Sequence, residues 1–273
     1  MRPLFTHVAL LGAVLASCEQ SSRSMDAGGG SSDAPTEVWV HAATSTRAAL
    51  LALEAMHEGA HGIDLIFNFG GSGALARQIV AGGKADLFLS ADEVEMDRLE
   101  VAGLLEPGTR VALLSNQLVV VEPAVDGTLF AGSFDPRQLA QPELRLLSLG
   151  DPASVPAGRY AKAWLESRGA WEGVESRVLP AIDVRAALAA VEAGGAQAGI
   201  VYRTDVARSS KVRIVHAVPL EDGPRIVYSL ALLRGRANPA AVSFARFLCS
   251  VEARARFAEQ GFVLPSTPSA SAK

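Results

Sequence analysis

Hydroxyl side chains stand at three places where an apolar, strand-like run ends. Thr44 follows VWVHAA, Ser72 lies in FGGSGALARQ, and Tyr202 ends AGIVY. A hydroxyl can donate a hydrogen bond, and a helix that begins beside it adds unpaired N–H groups and a partial positive charge. Taken singly, Thr44 or Ser72 is typical of a helix N-cap, and Tyr202 of an amphipathic rim position. Their repetition predicts a site for a small oxyanion.

Two further junctions offer backbone donors. Ala157 follows SVP and Val184 follows AID, and each begins a helical run. Gly70 and Gly71 would let a bound group approach the backbone closely. All these groups donate, so a fully deprotonated tetrahedral dianion satisfies them. The proton of hydrogen phosphate would lack an acceptor, at a cost of about 1–3 kcal/mol.

Arginines and aspartates lie close to the same junctions. The arginines are Arg47, Arg77, Arg159, Arg185 and Arg203. A guanidinium could contact the anion directly. We favour surface ion pairing with Asp86, Asp183 or Asp205. Asp86 and Asp92 are interpreted as structural caps or hinge contacts.

One segment matches the H-E-x-x-H pattern of zinc proteases, with His57, Glu58 and His61 in MHEGAH. Glycines flank the second histidine, where a protease needs a continuous helix. The later His216 sits in a strand-like run and is a poor third ligand. We therefore interpret the segment as the exposed C-terminus of a helix, where imidazoles are favourable.

A second enzyme alternative is a hydrolase. GGSGA is one residue from the nucleophile-elbow pattern, with Ser72 as the nucleophile. Asp183 or Asp205, followed by His216, would supply the acid and base in the right order. His216 lies within RIVHAV, however, and not on a loop. Both enzyme alternatives predict turnover, whereas an oxyanion-binding site predicts none.

Apolar runs and helical patterns alternate along the chain. The strand-like runs are 38–42, 63–69, 86–91, 118–123, 144–150, 198–202, 212–218 and 226–233. The helical runs are 47–57, 74–81, 94–102, 157–167, 184–193, 239–248 and 251–260. Near-continuous apolar strands between helices predict an α/β fold with largely parallel sheets. More than about 230 ordered residues favour two lobes over one.

The N-terminal residues read as an export signal. Residues 1–18 carry Arg2, then an apolar run, and end in Leu-Ala-Ser-Cys, which looks like a bacterial lipobox with Cys18 lipidated. The alternative is an ordinary signal cut nearby, with Cys18 incidental. Residues 19–36 are predicted to be a flexible tether and residues 266–273 a disordered tail. With Cys18 lipidated, only Cys249 remains, so no internal disulfide is expected, and Cys249 is predicted to be buried.

The charge balance excludes one class of partner. Formal net charge is −4 among 273 residues, with no strongly basic stretch. Proteins that bind nucleic acid normally carry a basic patch, so no nucleic-acid partner is expected here.

Several segments, in this order, resemble one family. They are HAATSTRAAL, GSGALARQIVAGGKADLFLSAD, LLSNQLVVV, GDPASVPAGRYAKAWLESRGAW, DVRAALAAVEAG and GIVYRTD, within a match from about Glu37 to Pro265. Together they resemble the molybdate-binding periplasmic or lipoprotein components of ABC importers. The resemblance implies a two-lobed type II solute-binding fold, each lobe a mostly parallel sheet flanked by helices, with the oxyanion clamped in the hinge cleft.

The resemblance also implies the ligand groups. Thr44 and Ser72 would bind the anion from one lobe, and Ala157, Val184 and Tyr202 from the other. Ala157 and Val184 would give backbone N–H groups, and the other three hydroxyls. The family usually shows AAAS where this chain has HAATS. Thr44 thus takes the place of the serine, and Ser45 is an alternative for that role.

Function, location and lobe boundaries follow from the same resemblance. The protein would capture molybdate or tungstate without a cofactor or catalysis, pass it to a membrane permease, act as a monomer, and be held outside the cytoplasm by lipid at Cys18. A sulfate-type receptor is the alternative, since sulfate is also a fully deprotonated dianion. Lobe 1 is predicted at 37–116 plus 220–265, and lobe 2 at 117–219.

Overall fold

The computed structural model describes residues 35–125, 129–130 and 132–265, and only the backbone of residues 58–61. The predicted export signal with Cys18, nearly all of the predicted tether and the predicted tail lie outside the described residues.

The described residues form ten strands and nine α-helices. The strands are β1 (Thr36–Ala43), β2 (Ile63–Gly70), β3 (Leu87–Ser90), β4 (Val111–Leu114), β5 (Leu118–Pro123), β6 (Leu147–Gly150), β7 (Val178–Ala181), β8 (Ala198–Tyr202), β9 (Val212–Ala217) and β10 (Tyr228–Leu232). The helices are α1 (Arg47–His61), α2 (Ser72–Val80), α3 (Glu93–Val101), α4 (Pro156–Ser167), α5 (Trp171–Val174), α6 (Val184–Glu192), α7 (Arg203–Val206), α8 (Pro239–Leu248) and α9 (Val251–Glu259).

The strands make two five-stranded sheets with the same plan. The first has the order β2-β1-β3-β10-β4 and the second β7-β6-β8-β5-β9. In each sheet the first three strands pair in parallel, and the fourth is antiparallel to both of its neighbours. Four strands of each sheet therefore point the same way. The predicted two-sheet α/β fold, with mostly parallel sheets, is confirmed.

We call the part built on the first sheet, with α1–α3, α8 and α9, lobe 1. The part built on the second sheet, with α4–α7, is lobe 2. The chain passes from lobe 1 to lobe 2 between β4 and β5, and returns between β9 and β10. The reversed strand of each sheet, β5 or β10, is the one that enters directly after a crossing.

The inner strands β3, β6, β8 and β10 are buried along their whole length, as expected where helices cover both faces of a sheet. Val38, Val40, Leu87 and Leu89 are buried in lobe 1, and residues 119–121 in lobe 2. Side-chain caps fix where several helices begin: Asp92 caps α3, Asp183 caps α6, Asn238 caps α8 and Ser250 caps α9. Such caps are worth about 1 kcal/mol each.

Two strands were missed, and two local predictions were wrong. Strands β4 and β7 were not predicted, and Cys249 is exposed at the C-terminal end of α8 instead of buried. His57 is not exposed either. It is 1% exposed, and its ring stacks on Phe247 and lies against Phe244 because α8 packs over that end of α1. Within the described part of the chain, no helix is long and apolar enough to cross a bilayer.

Candidate functional site: a donor-lined cavity between the lobes

A small cavity, with about 10 Å³ of space for the centre of a water molecule, lies where the carboxyl ends of strands from both lobes meet. Its lining is Ala43, Thr44, Ser45, Gly70, Gly71, Ser72 and Ala91 from lobe 1, and Val155, Pro156, Ala157, Asp183, Val184 and Tyr202 from lobe 2. All five residues predicted for the site are among them. The carboxyl end of the strands is where open α/β sheets bind ligands.

Thr44 and Ser45 lie in a short 3-10 turn between β1 and α1. The hydroxyl of Thr46 donates to the carbonyl of Ala43 at 2.7 Å and closes this turn. The hydroxyl of Ser45 lies 2.9 Å from the hydroxyl of Tyr228, so the two share a hydrogen bond. This bond engages Ser45 within the protein and favours Thr44 as the hydroxyl directed at a ligand.

Ser72 opens α2 and is buried. Its hydroxyl oxygen accepts the backbone N–H of Ala91 at 3.0 Å. Because that lone pair is used, the hydroxyl proton of Ser72 is free to point elsewhere, and the side chain acts as a donor. Gly71 precedes the helix and brings no side-chain cap, which leaves the first N–H groups of α2 without one.

The first donors of α4 and α6 also face the cavity. Pro156 at the start of α4 has no N–H, and the N–H groups of Gly158 and Arg159 both bond to the carbonyl of Val155 at 3.0 Å. Ala157 lies between Pro156 and Gly158. In the described part of the chain, its N–H has no partner. At α6 the carboxylate of Asp183 accepts the N–H of Ala186 at 2.9 Å.

The N-terminal N–H of α6 behaves in the same way. Val184 follows the capping residue directly, and its N–H makes no hydrogen bond to the other described residues. α2, α4 and α6 therefore direct unpaired N–H groups and the positive ends of their dipoles at one cavity.

Tyr202 contributes a buried hydroxyl to the lining. The residue is 1% exposed, and its hydroxyl finds no hydrogen-bond partner among the described residues. Burial raises the pKa of this phenol well above its usual range, so it stays neutral. A buried hydroxyl costs free energy unless some further group satisfies it.

The lining carries only one charged side chain, Asp183, and its carboxylate is used as the cap of α6. Attraction for an anion therefore comes from N–H groups, hydroxyls and helix dipoles. None of the five arginines noted in the sequence lines the cavity in the described structure.

Two of these arginines bridge the lobes instead. Arg159 pairs with Asp92 and Glu95, and Arg185 lies 3.7 Å from Asp205 while its Nε donates to the carbonyl of Thr44 at 3.1 Å. The ion-pair interpretation is confirmed for both, and Arg185 lies beside Asp205, one of the carboxylates expected. Arg159 pairs with carboxylates other than those expected, and the carboxylates of both arginines are buried instead of lying at the surface.

Asp205 is a fully buried carboxyl beside this site. Burial raises its pKa to about 7, the charge of Arg185 opposes that shift, and the charge of Asp183 adds to it. Near neutral pH it exists in both protonation states.

The hydrolase alternative does not assemble, whereas the side chains of Glu58 and His61, on which the zinc alternative depends, lie outside the described part of the structure. Among the described residues, no group of three or more His, Cys, Asp or Glu side chains could hold a metal ion. His216 stacks on Phe134 and Trp164, with ring centres 5.0 and 6.0 Å away, and lines a different pocket from Ser72.

Asn116 and Tyr228 were missed in the sequence. Asn116 lies at the first crossing, is 1% exposed, and donates to Thr204 Oγ1 at 2.9 Å and to the Tyr228 hydroxyl at 3.1 Å. It thereby joins lobe 2 to the Ser45–Tyr228 pair. The sequence did offer one signal for Asn116, since it is a polar residue next to an apolar strand run at a predicted crossing.

Two similar α/β lobes, linked by two crossings and facing a cavity lined with donors, define a solute-binding protein. The chain belongs to the bacterial extracellular solute-binding protein family, whose model matches residues 38–263. The relatives that it matches are binding proteins, and this chain is likewise a binding protein and not an enzyme.

Several relatives within this family are similar to the chain over most of its length. Molybdate-binding protein ModA of Escherichia coli is 36% identical over 232 residues, covering 84% of this chain and 89% of that protein. YvgL of Bacillus subtilis, named as a substrate-binding lipoprotein, is 35% identical over 251 residues, covering 91% and 93%. The structure of the periplasmic molybdate-binding protein of Azotobacter vinelandii shares the fold, with a TM-score of 0.74 at 24% identity over 84% of this chain and all of that one.

Proposed function

We propose that the protein captures molybdate or tungstate in this cavity and delivers it to the membrane permease of an ABC importer. One observation carries the proposal: five donors expected from the sequence converge on one cavity from two lobes, and the buried hydroxyl of Tyr202 has no partner among the described residues. Thr44, Ser72 and Tyr202 would donate through hydroxyls, and Ala157 and Val184 through backbone N–H groups.

The donor set supports a fully deprotonated dianion. Ser72 already accepts from Ala91, and the carboxylate of Asp183 already caps α6. The proton of hydrogen phosphate would therefore be left without an acceptor, which costs about 1–3 kcal/mol and gives roughly tenfold or greater discrimination. Sulfate also meets the charge condition, and the names of the relatives favour molybdate over it.

Capture would proceed by closure of the two lobes. We place lobe 1 at 37–116 plus 220–265 and lobe 2 at 117–219, with the hinge at the two crossings. Bonds that span the lobes beside the cavity, such as Arg185 to the carbonyl of Thr44, support this division. A closed receptor presents both lobes to a permease, and no second copy of the chain is needed, so we propose a monomer.

We further propose that Cys18 carries a lipid that holds the protein at a membrane, outside the cytoplasm. The Leu-Ala-Ser-Cys sequence and the lipoprotein name of one relative support this. Detergent-phase partitioning of the protein made in bacteria tests it. The Cys18→Ser variant should move to the aqueous phase, and an unchanged partition would contradict the anchor.

The ligand proposal is tested by thermal melts and calorimetry with molybdate, tungstate, sulfate and phosphate. At 100-fold excess over Kd, a bound ligand adds about 2.7 kcal/mol, which raises Tm by roughly 5–10 °C. Shifts with molybdate and tungstate alone would support the proposal and its selectivity. An equal shift with sulfate would favour the sulfate-type receptor, and no shift with any oxyanion would contradict the site.

A variant pair locates the binding. Ser72→Ala removes a donor from the cavity and should weaken molybdate binding about tenfold or more. Ser167→Ala is the matched control, because within the described structure its hydroxyl donates to the carbonyl of Trp164 at the far end of α4, away from the cavity. Equal affinity of the two variants would contradict the role of Ser72.

A further inference from the structure

A half-buried arginine joins the two lobes next to the cavity. Arg159 lies in the first turn of α4, two residues after Ala157. Its Nε donates to Asp92 Oδ2 at 2.8 Å, and its Nη2 contacts the same oxygen and lies 3.0 Å from Glu95 Oε1. Arg159 belongs to lobe 2, whereas Asp92 and Glu95 lie at the N-terminus of α3 in lobe 1. We call this contact between Arg159 and the two carboxylates the cross-lobe ion pair.

Both carboxylates are shielded from water in this arrangement. The side chains of Asp92 and Glu95 are 4% and 2% exposed, and that of Arg159 is 21% exposed. A buried carboxylate deprived of its cation is strongly destabilised, whereas water solvates the same group once the lobes separate. The ion pair therefore stabilises the closed arrangement selectively.

The same residues are connected to the walls of the cavity. Asp92 Oδ1 accepts the N–H of Glu95 at 3.2 Å as the cap of α3, while Oδ2 takes Arg159. The preceding residue, Ala91, donates its N–H to Ser72. The ion pair thus fixes the wall that holds Ser72 against the wall that holds Ala157.

We propose that Arg159 is a positioning residue that holds the lobes closed around the anion and slows its release without touching it. The proposal rests on the proposed function. Arg159 does not line the cavity. Its effect therefore acts on the closed population, and any ligand that needs closure gains by the same factor.

Binding and dissociation kinetics of the Arg159→Gln variant test this. Affinity for molybdate should fall about tenfold to a hundredfold, mainly through faster dissociation, because breaking a buried pair by removing one partner is strongly destabilising. The ratio of molybdate to sulfate affinity should stay unchanged. Arg159→Lys, which keeps the charge but not the forked geometry, should recover part of the loss.

Arg110→Gln is the matched control. Arg110 bonds to Glu93, Asp97 and Glu100, all on α3 and all within lobe 1. Its loss removes ion pairs from the same helix without affecting the contact between lobes, so affinity should stay within about twofold of the wild type.

A double-mutant cycle isolates the pair itself. Asp92→Asn keeps a side chain that can cap α3. The Asp92→Asn, Arg159→Gln double variant should lose less affinity than the sum of the single losses, because residue 92 then carries no charge that lacks its partner, and Glu95 keeps Arg98 at 3.2 Å.

Three results would overturn the inference. They are an Arg159→Gln affinity within twofold of the wild type, strictly additive losses in the cycle, or a changed molybdate-to-sulfate ratio, which would put the guanidinium on the anion. If the wild type binds an oxyanion and Arg159→Gln binds it equally well, this inference alone fails. If the wild type binds none, the proposed function fails and this inference with it.

Discussion

Hydroxyl groups in and around the cavity differ in what they already bind. The hydroxyls of Ser45 and Tyr228 satisfy each other, and Asn116 adds a second bond to Tyr228. The hydroxyl of Tyr202, whose ring centre is 5.9 Å from that of Tyr228, has no partner among the described residues. One tyrosine therefore belongs to the internal network of the protein, and the other is available to a ligand.

This difference predicts opposite behaviour of two similar variants. Tyr202→Phe should leave the Tm of the unliganded protein unchanged or higher, because it removes a buried hydroxyl that no described residue satisfies. Its affinity for molybdate should fall about tenfold to a hundredfold. Tyr228→Phe should instead lower the unliganded Tm, because it leaves Ser45 and Asn116 without their partner. Melts and calorimetry decide, and a lower unliganded Tm for Tyr202→Phe would contradict the assignment.

The choice between Thr44 and Ser45 can be tested in the same way. Thr44→Val keeps the shape of the side chain and removes only the hydroxyl, so we expect about tenfold weaker molybdate binding. Ser45→Ala breaks a bond within the protein, so it should lower Tm and change affinity about threefold or less. Calorimetry on both variants measures this, and the reverse order of affinities would assign the role to Ser45.

Among the helices and strands, the helix starts that line the site can be predicted from the sequence better than the order of strands in the sheets. Helices α4, α6, α8 and α9 begin within one residue of their predicted starts, because apolar spacing and caps are local signals. Strands β4 and β7 are four residues each, and β7 contains a proline, so neither shows a readable alternation. The reversed strands and the cross-lobe ion pair depend on residues far apart in the chain, such as Arg159 and Asp92, 67 positions apart.

The elements that face each other across the cleft also approach closely. A methyl group built on Gly73, in the first turn of α2, would overlap the carbonyl oxygen of Ser154, which precedes α4. A methyl group on Gly71 would lie 2.8 Å from the carbonyl oxygen of Ile182, which precedes α6. Glycine at these positions lets the N-terminus of a lobe 1 helix meet the backbone of lobe 2.

Gly73→Ala should therefore hold the lobes apart. Within lobe 1 alanine suits a helix better than glycine, so the unliganded Tm should stay the same or rise. The Tm increase produced by molybdate should shrink to less than half of the wild-type increase, because the closed form contains the overlap. Melts with and without molybdate check both parts. A full ligand-induced increase would show that the closed arrangement tolerates the methyl group.

At the scale of the whole molecule, closure places charged groups between or beside the lobes, so stability depends on pH. Asp205 is the clearest case, because burial raises its pKa to about 7 from an ordinary value of 3.8. Arg185 and Asp183 face it from the start of α6, and the phenols of Tyr202 and Tyr228 lie near it on β8 and β10.

The sign of the effect follows from which state holds the proton. Between pH 3.8 and about 7 the folded protein keeps a proton on Asp205 that the unfolded chain has lost. The contribution of Asp205 to stability therefore falls as pH rises through this window, and the full cost of a buried charge is present above pH 7. Each unit of pKa shift is worth about 1.4 kcal/mol, so the cost reaches a few kcal/mol.

Asp205→Asn should remove this dependence. At pH 8 its Tm should exceed that of the wild type by roughly 5–10 °C, and at pH 4 the difference should largely disappear. Asp222→Asn is the matched control, because its carboxylate pairs with Arg168 at the surface and is half exposed, so its effect should be small at both values. If Asp205→Asn were less stable than the wild type at pH 8, the attraction of Arg185 would outweigh burial. Asp205 would then be a stabilising anion of the closed molecule.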